Sequence, residues 1–284
     1  MELSIFADEV FGKGEPDKLL DALPLIKEWG GNYVDFRGGY GKDYGGVETK
    51  TVDQIKSYKK RCDEVGLKVA CVQASLGKVH MPGEERQNSE IKKLEWLIQV
   101  CEILQCKHMR SYNYWQPEEL DKALMGTMLP GTEALNKAVN MFEPLAKKAQ
   151  AAGLILSFEN CGQSLDEVEA FLKVINIKGW GCAFDPKKGN LGDNVMPKTR
   201  EESDDYIDRG MKMASMFHVK STAILHETPS AFIFPWERMI AYAQKSGTVD
   251  YCTIEVSNTP SKSNLAQEEA AKRTHKAMQR SWIF

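Results

Sequence analysis

GLILSFENCG, residues 153–162, sets four apolar side chains, Leu154, Ile155, Leu156 and Phe158, around one serine and places a carboxylate, Glu159, where the apolar run stops. A run this short and apolar, opened by glycine and closed by polar residues, reads as a buried strand. An ionised carboxylate at its mouth is costly unless a positive group meets it. Three later stretches repeat the design: GCAFDP ends in Asp185, MASMFHVK in His218 near its end, and YCTIEVSN carries Glu255 where its apolar run stops.

Outward from this strand the chain keeps one rhythm. LSIFADEV, NYVDFRGG, LKVACVQAS and KHMRSYNYW precede LILSFEN as strands one to four, and GWGCAFD, SMFHVK and YCTIEV follow as six to eight. Between them, apolar residues at helical spacing predict helices over about residues 16–30, 51–65, 89–104, 131–152, 164–174, 201–212, 236–245 and 266–279. Gly30-Gly31 and Gly66 act as stops. Strand alternating with helix argues for parallel βα units. Eight units in 284 residues fit a closed (β/α)₈ barrel better than an open doubly wound sheet. No GxGxxG or GxxxxGK[ST] follows a strand, which removes the main support for a nucleotide-binding sheet. Absence of a linker or composition shift predicts a single domain over residues 1–284.

A hydrophobic content of 42% allows one large core or two small ones, and the unbroken rhythm decides for one. A net charge of -3 and a pI near 6.0 leave no basic face for a phosphate backbone and argue against nucleic acid. No apolar run is long enough to span a membrane. The seven cysteines lack CxxC spacing and several sit in apolar runs, which suits free thiols in a reducing cytoplasm. The start, MELS, shows no secretory leader pattern and gives the same expectation.

In a (β/α)₈ barrel the C-terminal ends of the strands share one face. Glu159, Asp185, His218 and Glu255 would therefore meet, although each alone reads as a helix cap, a surface charge or a hydrogen-bonded histidine. Three carboxylates with one imidazole suit Mn²⁺, Mg²⁺ or another divalent first-row ion, and such a cation offsets their mutual repulsion.

These motifs, SFEN, AFDP, FHVK and TIEV on successive strands, resemble the xylose isomerase-like barrel superfamily and its sugar phosphate isomerase/epimerase branch. The resemblance implies that Glu159, Asp185, His218 and Glu255 bind one divalent metal, manganese first, with magnesium, cobalt or zinc as alternatives. It implies a place in carbohydrate metabolism: an isomerase or epimerase of a sugar or polyol ketone, working by proton transfer through a metal-stabilised enediolate. Glu159 and Glu255 would be the acid/base pair on opposite faces of the substrate. It also leaves a homo-oligomer open.

The pattern departs from ketose 3-epimerases at Lys188 in DPKKGN, where those enzymes carry a histidine. Lys188 binds a substrate oxygen, phosphate or carboxylate, or points to solvent. Lys220 in FHVK either polarises the substrate or pairs with a neighbour. Further candidates at strand ends are Glu9, Arg37, Gln73, Tyr112, Trp115 and Asn160, with Trp115 the best placed to stack on a sugar face. The rival activity is a lyase or dehydratase, because the same carbanion can expel a β-substituent. A DNA-repair endonuclease needs more histidines than His80, His108, His226 and His275 supply beyond His218, and a non-catalytic binding subunit would have no use for intact ligands.

Overall fold

A computed structural model describes residues 1–11, 18–39, 46–80, 83–114, 128–161, 163–186, 199–221, 236–256 and 267–282. Trp115, Lys188 and His226 lie outside the described residues. Among those described, strands and helices alternate eight times: β1 (Glu2–Ile5), α1 (Leu19–Glu28), β2 (Tyr33–Arg37), α2 (Val52–Val65), β3 (Lys68–Gln73), α3 (Glu84–Leu104), β4 (His108–Ser111), α4 (Glu133–Ala151), β5 (Ile155–Glu159), α5 (Leu165–Ile175), β6 (Gly181–Phe184), α6 (Arg200–Met213), β7 (Ala214–Lys220), α7 (Trp236–Ser246), β8 (Tyr251–Glu255) and α8 (Gln267–Trp282). The strand order is β1-β8-β7-β6-β5-β4-β3-β2, the order of a parallel (β/α)₈ barrel.

Local chemistry sets the element ends. Thr51 caps α2 in a capping box with Gln54, and Gly66 ends the helix in the left-handed region at φ 75°. Ser164 and Glu167 form the same box at the start of α5. The one helix whose start sequence patterning misplaced is α3. It begins at Glu84 rather than near residue 89, because its first turn, EERQN, is exposed and carries no apolar residue to register.

The chain forms two compact units. In the first, Met1–Gln73, Val100–Cys106 and Phe217–Phe284, β1 pairs in parallel with β8 from Glu2 opposite Tyr251 to Ile5 opposite Ile254. β2 pairs with β3, with a bulge between Val34 and Asp35. A bridge from Phe6 to Asp35 joins the first strand to the second. The bulge re-aims Asp35, and its buried carboxylate accepts four hydrogen bonds. Ser4 Oγ (2.6 Å) and the Cys71 amide (3.1 Å) donate to Oδ1; Gln73 Nε2 and Thr253 Oγ1 (both 2.7 Å) donate to Oδ2. Burial pushes this carboxyl up to about 6, against the lowering pull of the four donors.

The second unit, Ala74–Gln99 and Lys107–Met216, carries β4 paired with β5 and β5 with β6. Its helix–sheet layer is aromatic: Phe142 and Phe171 meet Phe158 edge-on at 5.2 and 5.1 Å between ring centres. Among the described residues, no helix is long and apolar enough to cross a membrane. The seven cysteines are free thiols, all buried except the half-buried Cys161. Burial pushes the Cys62 thiol up to about 12, which makes it inert at neutral pH.

On α8, His275 is buried and its Nδ1 has no hydrogen-bond partner among the described residues. Desolvation lowers its pKa from 6.5 to about 4. The folded state refuses a proton that the unfolded chain accepts, so His275 favours folding above pH ~6.5, and that contribution is lost as pH falls towards ~4, about 3 kcal/mol in all. A His275→Gln protein should therefore lose less stability than the parent between pH 7 and pH 4 in urea unfolding. Parallel pH profiles for the two proteins would refute the assignment.

Candidate functional site

Glu159 is the last residue of β5, Asp185 follows β6 directly, His218 lies two residues before the end of β7, and Glu255 is the last residue of β8. Their relative exposures are 0%, 0%, 0% and 6%. Four titratable groups so deeply buried require compensating partners.

In the second unit the partners of Glu159 come from β4. The β4–β5 register puts Arg110 opposite Ser157. Tyr112, two residues on, therefore falls level with Glu159, and side chains two apart share a sheet face. Arg110 Nη1 and Tyr112 Oη both donate to Glu159 Oε2 at 2.8 Å. Arg110 is itself fixed: its Nε and Nη2 donate to the Ala74 carbonyl at 3.3 and 3.1 Å, and the guanidinium lies 5.1 Å from the Tyr112 ring centre. Tyr112 is locked through its backbone. Its amide donates to the Leu76 carbonyl at 2.8 Å. A side chain at Gly77 (φ 74°) would come within 2.1 Å of the Tyr112 carbonyl, so only glycine fits there.

Asn160 joins the ends of β5 and β6 by a reciprocal pair. Its Oδ1 accepts from the Asp185 amide at 2.8 Å and its Nδ2 donates to the Asp185 carbonyl at 3.0 Å. Nδ2 also reaches Tyr206 Oη on α6 at 3.3 Å. Burial and the nearby Asp185 charge raise the Tyr206 phenol, so it stays protonated. Asn160, expected among residues that touch substrate, here fixes the backbone that presents Asp185.

The first unit holds two groups. His218 Nδ1 lies 3.7 Å from Glu255 Oε2 and its ring meets Phe6 edge-on at 5.9 Å. Lys220 Nζ pairs with the same Glu255 oxygen, the contact with a neighbour that one of its two sequence readings expects. Beside them, Arg37 bridges Asp8 (Nε to Oδ2, 2.9 Å) and Glu9, and stacks 4.8 Å from the Phe6 ring centre. Burial pushes the Glu9 carboxyl up, opposed by Arg37 and reinforced by the Glu255 and Asp8 charges. Glu9 and Arg37 are thus brought together as a pair. Gln73 belongs to the Asp35 network instead.

Sequence reasoning missed Arg110 and Tyr206. Arg110 left a signal, because a charge inside HMRS, mid-strand, is rarely buried without a partner. Tyr206 left none: it sits in a polar helix. Asn113, just past the end of β4, is buried with neither amide atom hydrogen-bonded among the described residues.

Comparison with known proteins agrees with this fold. A family model described as xylose isomerase-like TIM barrel matches residues 23–281. No curated protein matches the chain. Among solved structures, D-psicose 3-epimerase with D-tagatose from Clostridium cellulolyticum H10 is similar at 14% identity and a TM-score of 0.69, over 99% of this chain and 98% of that one. A xylose isomerase-like TIM barrel protein from Mycobacterium smegmatis in complex with magnesium gives 13% identity and 0.65, over 99% and 98%. An IOLI protein with a bound zinc atom gives 15% identity and 0.64, over 99% and 98%. At these identities the likeness is one of fold.

Proposed function

The chain belongs to the xylose isomerase-like TIM barrel family, and from that premise we propose that it is a divalent-metal-dependent isomerase or epimerase of a sugar or polyol ketone, folded as one domain over residues 1–284 and working in the cytoplasm. The observation that carries the reading is the ordered set of buried ligand groups at the ends of β5, β6, β7 and β8. Glu159, Asp185 and His218 each offer one ligand atom, and Glu255 adds a third carboxylate.

This donor set fits a divalent cation. Carboxylate oxygens suit hard ions, one imidazole is compatible with first-row metals, and among the described residues no cysteine joins the set to select a softer ion. Manganese is the ion we assign, and the zinc and magnesium in similar structures accord with a site of this type. When bound, the cation supplies Lewis-acid stabilisation of negative charge on substrate oxygen. Glu255 takes the proton next to the substrate carbonyl, and Glu159 exchanges a proton on the opposite face. Lys220 holds Glu255 in place and offsets its charge. Arg37 and Glu9 border the substrate's space, and a carbohydrate hydroxyl can exchange hydrogen bonds with either. Lys188 and Trp115 complete the substrate-binding proposal.

The test is metal analysis of protein purified without chelator, followed by incubation of the manganese-loaded protein with ketoses, their phosphates, inososes and 3-keto-glycosides in deuterated water. Near-stoichiometric metal and deuterium at the carbon next to the carbonyl, without loss of a group, support the reading. Release of water or an aglycone would replace it with elimination. Less than a small fraction of one ion per chain would overturn it.

A further inference from the structure

We propose that Arg110 is a built-in counter-ion for Glu159: a positioning residue that holds this buried carboxylate in place when no metal is bound. The inference rests on reading Glu159 as a metal ligand, and it concerns the state that precedes metal binding. A buried carboxylate awaiting a cation is a liability, since desolvation disfavours the charged form and nothing offsets it until the ion arrives. Arg110 removes that liability from within the strand beside it.

Three features separate this contact from an incidental ion pair. Both partners are sealed from solvent, with side-chain exposures of 3% and 0%, so the pair escapes the screening that makes surface bridges weak. The guanidinium is not free to follow the carboxylate, because its Nε and Nη2 are tied to the Ala74 carbonyl and its face is stacked on Tyr112. The two donors converge on one oxygen: Arg110 Nη1 and Tyr112 Oη both reach Oε2 at 2.8 Å. Together they hold that oxygen in place from two directions.

The arrangement recurs on Glu255, whose Oε2 is paired with Lys220. Each of the two glutamates carries a cation from its own surroundings, arginine in one case and lysine in the other. The difference between them has chemical content. Arginine is a rigid fork that stays charged and fixes geometry; lysine is a flexible point charge on four methylenes. Glu159 is therefore the immobile member of the pair and Glu255 the adjustable one. On this proposal each glutamate is held in place by its own cation before a metal arrives, and the metal is not needed to hold it there.

Thermal unfolding of the full chain decides this, with EDTA or Mn²⁺ as the added component. Arg110→Met keeps the side chain's length and removes its charge. In EDTA its melting temperature is expected to fall by about 10 °C, the usual effect of stranding one partner of a buried pair. Saturating Mn²⁺ should restore most of the loss by taking over the counter-ion's place. Arg110→Lys should lose less than Arg110→Met. The decisive variant is Arg110→Met combined with Glu159→Gln, which removes the stranded charge and should recover at least half of the drop in EDTA. Should Arg110→Met not fold in EDTA, the double variant still decides the matter by folding or failing to fold. A double variant no more stable than Arg110→Met would overturn the proposal, because the loss would then be one of packing. If Mn²⁺ shifts neither the parent nor Arg110→Met while Glu159→Gln still rescues, the counter-ion stands and the metal assignment falls.

Discussion

Turnover of a ketose substrate is expected to fall about 10²–10⁴-fold in a Glu255→Gln protein whose fold is unchanged, the range by which a positioned acid or base contributes to rate. Glutamine matches glutamate in shape and still accepts from Lys220, so the pair loses its charge but not its hydrogen bond. What disappears is the ability to hold a proton. Lys220 is half-buried, so water can solvate the ammonium that loses its carboxylate and the change is tolerable on the scale of stability. Solvent deuterium exchange into the substrate is the measurement, with circular dichroism as the control for folding. Near-parental exchange in Glu255→Gln would refute the acid/base assignment. The same substitution at Glu159 is expected to cost stability as well as rate, since it leaves the Arg110 guanidinium buried without a carboxylate.

The second large effect concerns the metal. Asp185→Asn should weaken Mn²⁺ binding by at least about 100-fold, given that even groups hydrogen-bonded to metal ligands cost 10–100-fold when removed. The Asn160 clamp grips the Asp185 backbone rather than its carboxylate, so the neighbouring strand ends stay joined in the variant. Calorimetric titration with Mn²⁺ measures the change. An affinity within a few-fold of the parent would remove Asp185 from the ligand set.

The fold was legible because barrel physics writes itself into sequence. GLILSFENCG and its counterparts are apolar on both faces, as strands covered by helices must be, and seven of the eight helices fell within a few residues of their expected bounds. The metal-ligand candidates were legible for a related reason: a carboxylate or imidazole ending an apolar run is out of place unless a site explains it. What holds those groups was less visible. Arg110 acts across strands, and only register, Arg110 opposite Ser157, puts it beside Glu159. Asn160 was a candidate only as a strand-end residue, and nothing in the sequence showed that its amide would hold the Asp185 backbone and reach Tyr206. Lys220 had two readings that sequence could not separate, and the partner its ammonium meets, Glu255, lies on a strand far away in the chain.

The pairing of β1 with β8 has a consequence in time. Glu2 waits for Tyr251, a partner that leaves the ribosome roughly 12–50 s later at synthesis rates of about 5–20 residues per second. The buried edge of β1 and the Asp35 carboxylate that needs Thr253 from β8 stay incomplete throughout that interval. The second unit, by contrast, draws every strand it needs from Ala74–Met216. Arg110 and Glu159 can meet while the C-terminal strand is still being made, whereas Lys220 must wait for Glu255 on β8.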